Sequence, residues 1–321
     1  MRRCTVTAGL IRMRLIFMGT PQAAVPTLRR CLEDGHEVVA VWTQPDRPLG
    51  RGNRVTRSPV KEFALTHRLA VHQPANIKTA EAKALFTAHE AEVAVIVAYG
   101  QILPDELLRA PRLSCINVHF SLLPHYRGAA PVNWAIVNGE SKTGVTTMLV
   151  EKELDCGPIL LQRETMISAD ETATELIRRL AVIGAEVLGE TLTQVRRLTP
   201  HPQHNQNATF APLLKKEDGL IKWSDSAFVI ERCIRGFQPW PNAYTYYRSR
   251  RLIIWCAAAG IRNQNKAVDS GIISVSSGDL VVQCGGQTEL RLIEVQPEGK
   301  TRMSARDFLN GMHSQVGERL G

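Results

Sequence analysis

Cys115-Ile116-Asn117-Val118-His119, running into Ser121-Leu122-Leu123-Pro124, constrains this chain more than any other stretch. Read as a strand, its period-two geometry puts Asn117 and His119 on one face. Buried strands of α/β proteins are near-continuous apolar runs, so an amide and an imidazole are costly there unless they have partners or a task. The chain then turns into Arg127-Gly128. That sets the polar pair at the carboxyl end of a strand, where open α/β sheets bind ligands. Two readings stand at this point: a polar strand end hydrogen-bonded to a loop, or a functional site.

The flanking sequence supplies the sheet. Arg14–Met18 reads as a first strand running into Gly19-Thr20-Pro21 and an Ala/Leu-rich helix ending near Asp34-Gly35. Glu37–Thr43 is a second strand, and Val93–Tyr99 has the apolar run of a strand covered on both faces. Between them, Pro59 suits a helix first turn capped by Ser58, and a further helix spans about 79–89. Beyond His119 come a helix ending near Gly139, strands around 144–150 and 159–167, and a long helix at roughly 172–197. This alternation implies an α/β fold with a doubly wound, mostly parallel, Rossmann-like sheet. The glycine fingerprint G-x-G-x-x-G is missing after the first strand, so a dinucleotide site is disfavoured.

Residues 199–208 are polar, hold two prolines and lack periodicity, which predicts a linker. Past it, one helix near 226–235 precedes short strand-like pieces at 243–248, 251–257, 271–275, 279–284 and 289–295. That spacing predicts a small C-terminal β-barrel of the OB-like kind. The expected layout is residues 1–12 as a disordered leader with Met13 a plausible start, 13–198 as a first domain, the linker, and 209–321 as the barrel. No apolar stretch approaches a membrane span. The seven cysteines are scattered without a C-x-x-C pair, which suggests neither a disulfide framework nor a zinc site and fits a reducing cytoplasm.

Two further features bear on chemistry. Asp155 lies in Glu151-Lys152-Glu153-Leu154-Asp155-Cys156-Gly157, in the loop between two predicted strands. The loop from Gln44 to Lys61 carries Arg47, Arg51, Arg54, Arg57 and Lys61 against Asp46 alone, a net +4. Residues 1–200 hold 24 Lys/Arg and 20 Asp/Glu, so this loop matches the whole excess of that half. The remainder carries 15 and 11, again +4. A surplus of this kind favours a polyanionic partner. Taken alone, the loop also reads as a solvated surface segment.

From Met13 onward the chain resembles the methionyl-tRNA formyltransferase family, within the wider folate-dependent formyltransferases. The resemblance rests on Gly19-Thr20-Pro21, Gln44-Pro45-Asp46-Arg47-Pro48 with Gly50-Arg51-Gly52, Val97-Ala98-Tyr99-Gly100 and Ile102-Leu103-Pro104. It continues in Cys115–His119, Ser121–Pro124, Arg127-Gly128-Ala129-Ala130-Pro131 and Leu154-Asp155-x-Gly157. In the C-terminal part it includes Thr209–Pro212, Arg232–Pro241 and Ala243-Tyr244. Two positions depart from the pattern: Phe120 is usually small, and Glu153 is usually glycine.

The resemblance implies formyl transfer from 10-formyltetrahydrofolate to the α-amino group of methionyl initiator tRNA, with no metal, no membrane and no obligatory protein partner. Other folate formyltransferases, acting on an amino sugar or a purine precursor, a formate-releasing hydrolase, and a non-catalytic RNA-binding relative would share much of the core. The residues suit the chemistry. Attack of an amine on a formyl carbon builds a tetrahedral oxyanion that needs preorganised donors. Asn117 and protonated His119 can supply two. The nucleophile must be neutral, and an α-amino group titrates near ~8, so a modest push suffices. Asp155 favours the imidazolium by its charge and accepts protons through water. The resemblance assigns Ser121, Leu122, Leu123 and Pro124 to the folate site and Arg47, with Arg51 and Arg54, to the tRNA acceptor end.

Overall fold

The computed structural model describes residues 12–49, 54–262, 269–276, 278–312 and 317–321. The expected leader, residues 1–12, lies outside them save for Arg12, as does Arg51. Strands are β1 (Arg14–Gly19), β2 (Glu37–Trp42), β3 (Arg47–Leu49), β4 (Arg54–Thr56), β5 (Val71–His72), β6 (Val93–Val97), β7 (Ser114–His119), β8 (Arg127–Gly128), β9 (Lys142–Leu149), β10 (Ile159–Met166) and β11 (Phe210–Ala211). Helices over the same span are α1 (Val25–Glu33), α2 (Pro59–Thr66), α3 (Ala80–Ala88), α4 (Asp105–Leu108), α5 (Pro131–Val137) and α6 (Ala173–Gln194). Two compact units emerge: residues 1–128, 144–165 and 177–210, and residues 129–143, 166–176 and 211–321.

The first unit is built on a seven-stranded sheet ordered β10-β9-β7-β6-β1-β2-β5. β7, β6, β1, β2 and β5 run parallel to their neighbours, and β9 is antiparallel to β7. All five residues of β6 are buried, as a strand covered on both faces requires. One face seats Ile16, Met18, Ala40, Trp42, Ala94, Ile96 and Cys115 against Phe86 of α3 and Leu107 of α4. The chain goes from β1 outward to β2 and β5, then returns to β6 on the other side. The switch point therefore lies between β1 and β6.

Local signals hold where they were specific. Ser58 accepts the Lys61 N–H at 3.1 Å and Pro59 opens α2, while Thr79 caps α3 through the Ala82 N–H. Phe120 also finds its reason. It follows His119, so it points to the opposite face, towards Gly184 of α6. A methyl at 184 would sit 3.2 Å from the Phe120 ring and 3.0 Å from Val118. The missing side chain on the helix makes room for the larger one on the strand end.

The second unit holds α7 (Ala227–Gly236), β12 (Tyr244–Tyr247), β13 (Arg250–Ile261), β14 (Ile273–Ser276), β15 (Asp279–Cys284), β16 (Thr288–Pro297), β17 (Met303–Ser304) and α8 (Ala305–Met312). Its sheet is ordered β12-β13-β16-β15-β14, with β17 on β16. The pairings are antiparallel, and the register of β13 slips on either side of Cys256. Such irregularities bend a strand, and this sheet curls as a half-barrel over one core that includes Ile230, Ile234, Ile254, Leu280, Leu290 and Phe308. No described helix is long and apolar enough to cross a membrane.

At the sheet edge, His72 and His89 approach Nε2 to Nε2 at 3.0 Å beside Trp42. Burial lowers both from the ordinary 6.5; the neighbouring His89 adds to this for His72, and Arg14 for His89. Burial also lowers His36, opposed by Asp34. The unfolded chain thus binds more protons than the folded one once the pH drops below about 6.5. These residues contribute stability that is complete above that value and lost on acidification. Urea midpoints at pH 7.5 and 5.5 should show the loss, and His89→Gln should reduce the difference.

Candidate active site

The carboxyl ends of the parallel strands bring three loops together. Thr20, after β1, donates its hydroxyl to the Tyr99 carbonyl at 3.1 Å and accepts the Gln44 N–H at 3.3 Å. The Gln44 amide donates to the same carbonyl at 3.1 Å. Gly19 leaves no room for a side chain there, since a methyl would lie 2.9 Å from Ala24 and 3.0 Å from the Val97 carbonyl oxygen. The strand–glycine–helix opening serves close packing at the switch point.

One strand further out, β7 delivers Asn117 and His119. Their shared face follows from the register, in which Ile96 pairs with Asn117, and Asn117 and His119 pair with Met148 and Thr146 of β9. His119 and Asp155 are both buried. The His119 Nε2 lies 2.9 Å from the Tyr126 carbonyl, an obligate acceptor, so Nε2 carries a proton and donates. Nδ1 then faces the Asp155 Oδ2 at 3.7 Å, and the two form an ion pair when the ring holds both protons. The Asn117 amide donates to the Asp155 Oδ1 at 3.4 Å. The Gly128 N–H donates to Oδ2 at 2.9 Å. The first reading of this stretch, a polar strand end bonded to a loop, therefore describes Nε2, while Nδ1 faces the Asp155 carboxylate.

The backbone around these groups is unusual in two places. Asp155 sits at φ +53° and Tyr126 at +60°, the left-handed region that L residues seldom adopt. The Tyr126 N–H is held by the Thr209 hydroxyl at 2.8 Å, which fixes the carbonyl that His119 addresses. Glu153 is exposed and its φ is not positive, so the usual glycine is not needed for backbone freedom at that position.

The Ser121–Pro124 turn is a closed hydrogen-bonded unit. Ser121 is fully buried and donates its hydroxyl to the His125 carbonyl at 2.6 Å. Thr146 donates to the Ser121 carbonyl at 2.7 Å and accepts the Leu123 N–H at 3.1 Å. Gln162 donates to the Leu123 carbonyl at 2.8 Å and to Thr146 at 2.9 Å. The Leu123 side chain is buried, while Leu122 packs over Gly144, whose hydrogen it needs.

Arg47 opens β3, is exposed, and donates from Nη2 to the Gln44 Oε1 at 3.2 Å. The base of its loop is a two-stranded ribbon pairing Arg47 with Thr56 and Leu49 with Arg54, whose backbone begins β4. Asp46, the loop's one acid, is tied down at that base. Hydrogen bonds from Lys61 at 2.6 Å and Gln73 at 2.8 Å hold its carboxyl below the ordinary range.

The thiols close to the site are poor nucleophiles. Burial pushes Cys115 up to about 12; burial, then Glu153 and Glu151, raise Cys156. Little thiolate forms at neutral pH, which leaves amide, imidazole and carboxylate as the reactive set.

Sequence reasoning missed Thr146, Gln162 and Gln203. All three act on backbone carbonyls or amides of distant loops, and neither spacing nor charge pattern marks such partners.

A formyl transferase family model matches residues 13–192, and a formyl transferase C-terminal domain model matches residues 213–313. A methionyl-tRNA formyltransferase from Caldanaerobacter subterraneus subsp. tengcongensis is 47% identical over 96% of this chain and 100% of its own length. One from Solibacter usitatus is 47% identical over 96% and 99%. Among solved structures, an N-formyltransferase from Helicobacter canadensis in complex with folinic acid and dTDP-3-aminofucose aligns at TM-score 0.66 with 17% identity, covering 89% of this chain and 99% of its own. HypX from Aquifex aeolicus in complex with tetrahydrofolic acid aligns at 0.61 and 15%, covering 96% and 48%.

Proposed function

This chain belongs to the methionyl-tRNA formyltransferase family, and on that premise we infer that it transfers the formyl group of 10-formyltetrahydrofolate to the α-amino group of methionyl initiator tRNA. The observation that carries the reading is the joining of Asn117, His119 and Asp155 at the carboxyl end of β7.

The neutral amine attacks the formyl carbon, and a C–N bond forms as the carbonyl electrons move onto oxygen. We assign the stabilisation of that oxyanion to the second N–H of Asn117 and to Nδ1–H of His119, since Nε2–H is occupied by the Tyr126 carbonyl. Asp155 faces the ring with its charge and takes the proton lost by the attacking nitrogen, through water. Collapse of the intermediate breaks the bond to the folate nitrogen, which gains a proton as it leaves. The Ser121–Pro124 turn, rigid through Thr146 and Gln162, serves as a wall for the folate, with its shape rather than its spent backbone groups making the contact.

Residues 13–198 act as the catalytic part and residues 209–321 as a tRNA-binding part, acting in the cytoplasm. Arg47 contacts the acceptor end, helped by Arg51 and Arg54. Arg47→Ala should raise KM for the charged tRNA roughly 5- to 10-fold and lower the slope of log KM against log salt by about 1. Steady-state assays between 50 and 300 mM salt check both.

The reading is tested by following the formyl donor. In the presence of methionyl initiator tRNA, each donor consumed should yield one formylated methionyl-tRNA. With the donor alone, consumption should be slower by orders of magnitude. Rapid formate release without an acceptor would identify a hydrolase instead.

A further inference from the structure

We propose that Gln203, in the polar segment before the second unit's main stretch, is the positioning residue that holds the Asp155 loop in register with Arg127-Gly128. The proposal rests on the formyl-transfer reading for its kinetic consequences. Its structural content stands without that reading.

Besides a weak 3.9 Å contact with the Met148 Sδ, one amide makes four bonds here. Its Oε1 accepts from the Arg127 Nε at 3.0 Å and Nη2 at 2.7 Å. Its Nε2 donates to the Asp155 carbonyl at 2.9 Å and to the Gly157 carbonyl at 2.7 Å. The two carbonyls bracket Cys156, so the amide fixes the segment at both ends. The segment itself is anchored: His201 exchanges two 2.8 Å backbone bonds with Ile159 at the start of β10.

The loop needs such a clamp. Asp155 sits in the left-handed region, a conformation that persists only where its surroundings impose it. The residues before it offer little packing, since Leu154 is 64% exposed and Glu151, Lys152 and Glu153 are exposed as well. On the other side, Arg127 is buried with a guanidinium that requires acceptors. Arg127 and Gly128 are adjacent, and the Gly128 N–H donates to the Asp155 Oδ2. Gln203 therefore joins the main chain of Asp155 to the same strand that orients its carboxylate. An amide alone suits this position. A carboxylate could accept from Arg127 but could not donate to two carbonyls, and an amine could donate but not accept.

The test uses Gln203→Ala and Gln203→Glu in the full chain, with thermal unfolding recorded for each. Both should lower kcat by tenfold or more while leaving KM for 10-formyltetrahydrofolate and for methionyl-tRNA within about threefold. Gln203→Glu keeps the side-chain size and the Arg127 partner, so recovery of wild-type kcat in that variant would show that Arg127, not the loop, is what Gln203 serves, and would overturn the proposal. A kcat loss that disappears on cooling in step with recovered folding, or failure of both variants to fold, would make Gln203 merely structural and would also overturn it. The second readout needs no activity. Hydrogen exchange of the Gly128 amide, followed by NMR, should accelerate at least tenfold in Gln203→Ala. Wild-type protection of Gly128 in Gln203→Ala would sink the proposal even if formylation is observed. Absence of formylation by the wild-type chain would instead sink the functional reading.

Discussion

Asp155→Asn should lower kcat for formyl transfer by about three orders of magnitude, roughly 4 kcal/mol of transition-state stabilisation, with little change in thermal stability. The carboxylate faces the His119 Nδ1 at 3.7 Å, accepts from Gly128 and Asn117, and is buried, as is His119. An amide in its place can still accept one of these bonds, but its NH2 presents a donor to a site arranged for acceptors, and the charge opposite the imidazole is gone. The backbone should not object. Asn tolerates the left-handed conformation at least as well as Asp, so φ +53° is retained. Folding and catalysis are thereby separated in one variant. Single-turnover formylation with saturating substrates, alongside a melting curve, checks the claim. Turnover within tenfold of wild type, at unchanged stability, would remove Asp155 from the reaction.

The second large effect is expected at Gly157. A methyl there would stand 1.9 Å from the Leu149 carbonyl oxygen and 3.0 Å from its carbon, both backbone atoms of β9. The Leu149 N–H is itself bonded to the Pro158 carbonyl at 2.9 Å, so neither partner can swing away as a side chain could. Relief requires the 155–158 loop to move off the strand. That costs about 1–3 kcal/mol, toward the upper end because backbone must yield, and it carries Asp155 with it. Gly157→Ala should therefore lose both stability and at least tenfold in kcat, measured below its own unfolding transition. Gly260→Ala is the matching control, for its added methyl meets nothing nearer than 3.9 Å and should change stability by no more than about 0.5 kcal/mol.

These expectations depend on features the sequence revealed unevenly. The alternation of short apolar runs with amphipathic stretches identified the parallel sheet, because each run is bounded by its own turn residues. Asn117 and His119 stood out as polar residues in an apolar strand, and that signal is local. Asp155 needed the family resemblance to join them, since 36 residues separate it from His119. The ribbon within the Arg47 loop escaped notice because Pro48 and the flanking glycines read as breakers, yet three residue pairs close it. Strand β13 runs on through Ala257, Ala258, Ala259 and Gly260, which have weak strand preference. Pairing with residues from Glu289 to Leu292 of β16 holds them extended, a tertiary effect that no window of sequence contains. Gln203 was hidden for the same reason: a polar residue in a proline-containing stretch looks like a solvated linker until its bonds to Arg127, Asp155 and Gly157 are in place.

Formylation of the methionine amino group on initiator tRNA is the reaction expected of this chain. Its most direct test supplies radiolabelled 10-formyltetrahydrofolate together with either methionyl initiator tRNA or methionyl elongator tRNA, and then identifies the labelled product after ester hydrolysis. The predicted result is N-formylmethionine from the initiator tRNA, formed much faster than from the elongator. Label in neither tRNA, or equal rates with both, would contradict it.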